Sequence, residues 1–422
     1  MNKFVSFIIV LSFMNGFLIS GCSSGCPVSS PVIVKTGIEV LREENFKLLE
    51  GKRVGLLTNP TGVDSRLKST IDILAEAPNV NLVALYAPEH GIRGDIFAGA
   101  VVNDSIDERT GLPVFSLYGR TKKPTPEMLK GIDVLIYDMQ DIGCRSYTYI
   151  SSMGLAMEAA AENDVEFMAL DRPNPLGGLK FEGHPNVEPH LVSLVSQFPI
   201  TYVHGFTVGE LAMFLNEEGL LKDKMRCKLT VVKMDGWKRT MNFEATGLPW
   251  VITSPHVPHP KTAYYYVLAG ILGELYTVNI GVGYTLPFEL FGAEWIDAEK
   301  LAANLNALNI PGAMFRPLHF RPYYGAQMGQ IMRGVQTYIT DVEKIQLSMI
   351  QFYVLQECHK LHPDQNVFEL CVPSRLNMFD KVCGTSRIRE TFSKTFTVAS
   401  IQGIWNEDVE KFKDKAKQYF LY

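Results

Sequence analysis

Between residues 38 and 205 the chain alternates short apolar runs with amphipathic stretches, and this alternation constrains the fold more than any other feature. The runs have strand length and the stretches between them can wrap as helices, which is the pattern of β-α units around a mostly parallel sheet. The spacing predicts strands at 53–58, 80–86, 114–117, 133–138 and 166–171, with helices over 68–76 and 149–163. An α/β fold class follows.

What comes after each strand is polar. The clusters are Asn59-Pro60-Thr61-Gly62, Glu89-His90, Tyr118-Gly119-Arg120, Gln140-Asp141 through Arg145, and Arg172-Pro173-Asn174-Pro175. In an open α/β sheet, ligands bind along the carboxyl edge of the strands, so segments far apart in sequence converge there on one crevice. Pro88 and Gly91 prevent simple continuation of the second strand, which places Glu89, His90 and Arg93 on a stiff turn with their side chains presented. A polar turn with a surface ion pair is the competing reading of that segment.

The crevice lacks familiar nucleotide signatures, because the first strand is followed by Thr58-Asn59-Pro60-Thr61-Gly62 and no phosphate-binding loop occurs. The G-x-S-x-G match, Gly21-Cys22-Ser23-Ser24-Gly25, follows no strand. Carboxylates are what the region offers: Glu89, Asp138, Asp141, Asp171 and Glu182. Glycosidic cleavage usually needs two of them, one to protonate the leaving oxygen and one to activate water or attack the sugar. Arg93, Arg145 and Arg172 recur beside these acids, and Tyr147-Thr148-Tyr149 lies close by. Guanidinium forks suit a ligand carboxylate and aromatic faces suit a sugar ring, so a sugar carrying its own carboxylate is the expected substrate. Asp171-Arg172 also reads as a structural ion pair, and the tyrosines as a helix start packed on the sheet.

Charged residues make up 20% of the chain and the net charge is −5, so no basic surplus exists to hold a nucleic acid. Residues 1–21 read as a lipoprotein signal: Lys3 precedes an apolar stretch from Phe4 to Ile19, and small residues lead to Cys22. Lipidated Cys22 and a tether over 22–36 would hold the protein to a membrane in the cell envelope, outside the cytoplasm. Of seven cysteines, Cys144, Cys227, Cys358, Cys371 and Cys383 fall in the globular part without metal-ligand spacing. Cys371 and Cys383 read as buried free thiols, with a disulfide as the alternative. His256 and His259 have a spacing that suits a metal, but the surrounding prolines argue against a helical pair, and neither metal nor cofactor is expected.

The first domain is expected over 37–205 and the second over 206–422, with a boundary near His204 to Gly209, where a strand at 200–203 gives way to an amphipathic helix ending near Gly219. Further strands are expected at 228–232 and 335–339, and helices at 297–307, 341–360 and 407–420. Gly281-Val282-Gly283-Tyr284 reads either as a loop that covers a ligand or as a plain turn.

Five segments together resemble the NamZ-like exo-β-N-acetylmuramidases, which remove terminal N-acetylmuramic acid from peptidoglycan fragments. They are 51–62, Pro88-Glu89-His90-Gly91, 138–143, 170–178 and 204–211. The resemblance runs from Gly37 to Tyr422. It implies a Rossmann-like, mostly parallel N-terminal sheet domain, a smaller α/β C-terminal domain, and an active site between them. It also points to Glu89 as the catalytic carboxylate. The full candidate set is Glu89, His90 and Asp141 for chemistry. Asn59, Arg93, Arg145, Tyr147, Asp171, Arg172, Asn174, Glu182, His204, His256 and Asn279 complete it for peptidoglycan fragments. Two segments depart from the family pattern, with Tyr284 in place of an arginine and His256 in place of an asparagine. An exo-acting cell-wall glycosidase and a non-catalytic lipoprotein that captures muropeptides are the two classes that remain.

Overall fold

The structure is a computed structural model and describes residues 34–94, 103–325 and 327–422. The leader and Cys22 lie outside the described residues. Seven strands form the first sheet: β1 (Arg53–Thr58), β2 (Asn81–Ala87), β3 (Ser105–Ile106), β4 (Pro113–Ser116), β5 (Val134–Asp138), β6 (Glu166–Leu170) and β7 (Leu229–Val232). Their order is β3-β4-β2-β1-β5-β6-β7, and every neighbouring pair is parallel except β3 with β4. Apart from β3, this is the doubly wound order, in which the sheet is built outward from β1 in both directions.

Alternation along the strands explains why both faces are covered. Val54 and Leu56 of β1 and Val134 and Ile136 of β5 pack with Ile38 and Leu41 of α1 (Gly37–Glu43) and with Ile71 and Leu74 of α2 (Thr70–Ala75). Leu57, Leu135 and Tyr137 point to the opposite face, against Met153 and Met157 of α3 (Tyr149–Glu162) and Leu211 and Phe214 of α4 (Val208–Glu217). Helix α4 starts at a capping box in which Thr207 and Glu210 satisfy each other's backbone donors.

The second sheet is antiparallel, in the order β8-β10-β9, from β8 (Leu290–Ala293), β9 (Ala313–Phe320) and β10 (Met332–Ile339). The largely apolar helix α5 (Thr262–Gly273) and helix α6 (Ala298–Ala307) join it, and their core is continuous with the α3 and α4 face of the first sheet. Chain ends also cross between the halves: Tyr422 donates to Asp171 Oδ2 at 2.7 Å and Leu421 N to Glu210 Oε1 at 2.8 Å.

Several elements differ from the sequence reading. The strand at 228–232 was expected in the second domain, yet as β7 it pairs with β6 and extends the first sheet. Residues 200–203 form no strand; Val203 makes only isolated bridges to Cys144 and Glu182. The helix expected over 341–360 is confined to Ile350–Leu361 after a short turn at Leu347–Met349. All five globular-part cysteines are free and buried, Cys371 and Cys383 included. No helix among the described residues is long and apolar enough to cross a membrane.

Candidate active site

The doubly wound order puts the ends of β2, β1 and β5 side by side, so Glu89, Asn59 and Asp141 leave three adjacent strands on one edge. This is the switch point where such sheets open a crevice. Beyond β2 the chain makes a tight turn: Gly91 N donates to Pro88 O at 3.0 Å, and His90 takes φ +72°. A positive φ at the third turn position favours glycine or asparagine, so a buried histidine there is held in a costly backbone conformation. The turn leaves Glu89 partly exposed, and Thr148 Oγ1 donates to its Oε2 at 2.7 Å. The Tyr118 hydroxyl also bonds Glu89; burial, then the charge and bond of Glu89, pushes that phenol well above its usual range.

Asp141 sits deeper. Its Oδ2 accepts from Gly143 N at 2.6 Å, while Oδ1 is buried without a hydrogen-bond partner among the described residues. Gly143 has φ +81°, and a Cβ there would lie 2.4 Å from Asn174 Oδ1, so only glycine lets this turn close on the Asp141 carboxylate. His204 Nε2 stands 3.3 Å from Asp141 Oδ2 without the alignment of a hydrogen bond. Phe206 N donates to His204 Nδ1 at 3.3 Å, which puts the proton of a neutral ring on Nε2, facing the acid. Asn59 Oδ1 accepts from Thr61 N at 3.0 Å, and its Nδ2, buried beside the Tyr149 hydroxyl, meets no well-aligned acceptor among the described residues. Unmet donors and acceptors at this depth mark where a polar ligand gains most by binding.

Tyr147 lies within reach of the charge of both carboxylates. Burial is the main cause of its raised pKa, and the charges of Asp141 and Glu89 both add to the shift. Its hydroxyl donates to Thr253 Oγ1 at 2.7 Å, and that of Tyr149 donates to Thr253 O. The 253–256 segment thereby faces the Glu89 turn, and His256 feels the charge of His90, a smaller contribution than burial to its lowered pKa. The crevice is thus bounded by the first sheet's edge on one side and by the 253–256 segment on the other.

Other expected site residues are committed to the fold. Arg145 is almost wholly buried and donates to the carbonyls of His184, Ile200, Val382 and Cys383 at 2.7 to 3.1 Å, so its fork is occupied before any substrate carboxylate arrives. Arg172 pairs with Asp138 through Nε and Nη2 and donates to Val63 O at 2.8 Å. Asp171 accepts from Thr207, Gly209 N and Tyr422, and burial raises it to about 6. Glu182 holds Leu347 N and Ser348 N of the second half at 3.1 and 2.8 Å. Asn174 and Asn279 cap their own turns through Leu176 N and Gly281 N. The rings of Tyr147 and Tyr149 are buried edge to face, 5.0 Å between centroids, and offer no face to a sugar. Arg93 differs: it pairs with Asp107 beside the Glu89 turn while 48% of its side chain stays exposed. His256 stacks on Tyr324 and His259 is exposed. Thr148, Tyr118 and Thr253 were not in the candidate set; only their places beside strand ends or near His256 hinted at them.

A doubly wound sheet whose switch point bears carboxylates, joined to a second α/β unit, defines an α/β protein with a ligand site expected at that edge. The family models of exo-β-N-acetylmuramidase NamZ match this chain over residues 54–261 for the N-terminal part and 264–422 for the C-terminal part. The chain belongs to that family. It is 42% identical, over 98% of its length and 99% of the relative's, to the peptidoglycan β-N-acetylmuramidase NamZ of Bacillus subtilis. Two crystal structures of DUF1343 family proteins from Bacteroides fragilis share the fold. One has a TM-score of 0.89 at 57% identity, covering 93% of this chain and all of that one. The other has a TM-score of 0.72 at 30% identity, covering 92% and 99%.

Proposed function

We infer that this chain is an exo-acting glycoside hydrolase that releases N-acetylmuramic acid from the non-reducing end of peptidoglycan fragments. Membership of the NamZ family and the enzymatic name of the Bacillus relative favour catalysis over capture of muropeptides. The observation that carries the residue assignment is Glu89, a partly exposed carboxyl group on a constrained turn at the switch point, bonded by two hydroxyls. In this reading Glu89 gives its proton to the leaving oxygen. Asp141, with His204 behind it, serves the opposite partial charge on the sugar, as water activator or nucleophile. Arg93 takes the lactyl carboxylate, because it is the candidate arginine with an exposed side chain beside that turn.

Incubation with a muramyl-glucosaminyl disaccharide tests the activity. Free N-acetylmuramic acid should accumulate; binding without release would return the chain to the muropeptide-capturing class. Replacing Arg93 by lysine keeps the charge but loses the fork, and should weaken muramides more than glucosaminides. Equal weakening of both sugars would remove Arg93 from the lactyl contact.

We also propose that Cys22 is lipidated and holds the protein outside the cytoplasm in the cell envelope. The support is the sequence: an apolar stretch behind Lys3 that ends in small residues before Cys22. Cys22→Ala should move the protein out of the membrane fraction or leave it uncleaved, and unchanged fractionation would refute the anchor.

A further inference from the structure

The second domain carries aromatic surface at the crevice rim that hydrolysis alone leaves unused. Pro322-Tyr323-Tyr324-Gly325 follows β9, and Tyr323 and Tyr324 are 66% and 48% exposed. Both rings are backed. Tyr284 stacks behind Tyr323 with centroids 5.6 Å apart and planes 22° apart, and itself leans on Phe320 at 5.4 Å. His256 stacks on Tyr324 at 5.8 Å and 14°. The backbone beneath is closely packed as well: Tyr323 N donates to Gly283 O at 2.7 Å. Gly283 has φ +93°, and a Cβ on it would lie 2.3 Å from Tyr324 O. Two large rings held in place from behind and open in front cost little entropy on binding, and the C–H face of a pyranose packs well against such a face.

The platform adjoins the 253–256 segment, which the Tyr147 and Tyr149 hydroxyls tie to the start of α3 through Thr253 and which carries His256 against Tyr324. His256, which backs Tyr324, lies within the electrostatic reach of His90, and His90 follows Glu89 on the same turn. An exo-acting enzyme holds one sugar on the closed side of the scissile bond, which in the exo-hydrolase reading is the side of Asn59 and Asp141. Everything on the leaving side must pass out over the open rim.

We propose that Tyr323 and Tyr324, backed by Tyr284 and His256, form the stacking platform for the leaving-group glycan, the N-acetylglucosaminyl side of the scissile bond. The proposal rests on the exo-hydrolase reading. It makes these tyrosines determinants of the length of fragment the enzyme prefers.

The test compares kcat/KM for a cell-wall tetrasaccharide with that for 4-nitrophenyl N-acetylmuramide, which is too short to cover both rings. The ratio of the two, measured on one preparation, is independent of how much of the protein is folded. In a Tyr323→Ala, Tyr324→Ala double variant the ratio should fall about three- to tenfold per ring, the scale of a stacked contact. A Tyr323→Phe, Tyr324→Phe double variant keeps the rings and should keep the ratio. A ratio unmoved by the alanines, or lowered equally by the phenylalanines, overturns the platform while leaving hydrolysis intact. If the parent cleaves neither substrate, the hydrolytic reading fails and the platform with it.

Discussion

Thr148 Oγ1 donates a 2.7 Å hydrogen bond to Glu89 Oε2 and so ties the residue before α3 to the turn after β2. The bond crosses the switch point and fixes the rotamer of the carboxyl group that the account places in proton transfer. Thr148 touches the acid rather than the sugar, so it is a positioning residue. Thr148→Val should lower kcat about tenfold with little change in KM, and Thr148→Ser should restore most of it. A loss confined to KM would show that Thr148 binds substrate instead.

The left-handed backbone of His90, φ +72°, separates the role of the turn from that of the ring. Glycine adopts that conformation without penalty, whereas alanine pays about 1 kcal/mol for it. His90→Gly should therefore be more stable than His90→Ala by about that amount in urea unfolding, although both lack the imidazole. Equal stabilities would mean that the turn is not held in this conformation.

Arg145 should behave as a structural strut. Removing its guanidinium leaves four buried carbonyls without donors, two of them on the second half. Arg145→Met should cost roughly 3 kcal/mol or more of unfolding free energy. The folded fraction should retain the parent's KM for muramides. A raised KM with normal stability would restore Arg145 to the substrate site.

Asp171 gives a pH dependence of defined sign. Burial raises its folded pKa to about 6, above the ordinary carboxylate value of 3.8, so the folded chain holds the proton more tightly than the unfolded one. Its contribution is fully present below about pH 4 and is lost as pH rises through 6, on the order of 2–3 kcal/mol in all. The stability difference between the parent and Asp171→Asn should shift against the parent over that window. A difference that is flat with pH would contradict the raised pKa.

Five strands of the first sheet, β1, β2, β4, β5 and β6, were legible because each is an apolar run closed by a polar turn, and the Glu89 turn was legible for the same reason; β3, two exposed residues, carries no such run. Helix α5 was missed because Thr262–Gly273 is apolar nearly all round and carries no helical stripe. Strand β9 contains Pro317, which argues against a strand until the order β8-β10-β9 shows it to be an edge. Arg145 looked like a ligand fork because its acceptors stand 39 to 238 residues away in sequence and are backbone oxygens, which no motif records. Asp171, Glu182 and Asn174 likewise bond groups far off in the sequence, 32 to 251 residues away. A polar residue at a strand end reads alike whether it meets substrate or a distant part of its own chain.

The central claim is that Glu89 performs proton transfer in the release of N-acetylmuramic acid. Turnover of a muramyl-glucosaminyl disaccharide by Glu89→Gln, beside the parent and with unfolding midpoints for both, tests it most directly. The account predicts a kcat lower by roughly a hundredfold or more with the midpoint nearly unchanged. A folded Glu89→Gln enzyme that releases N-acetylmuramic acid at the parent's rate would contradict it.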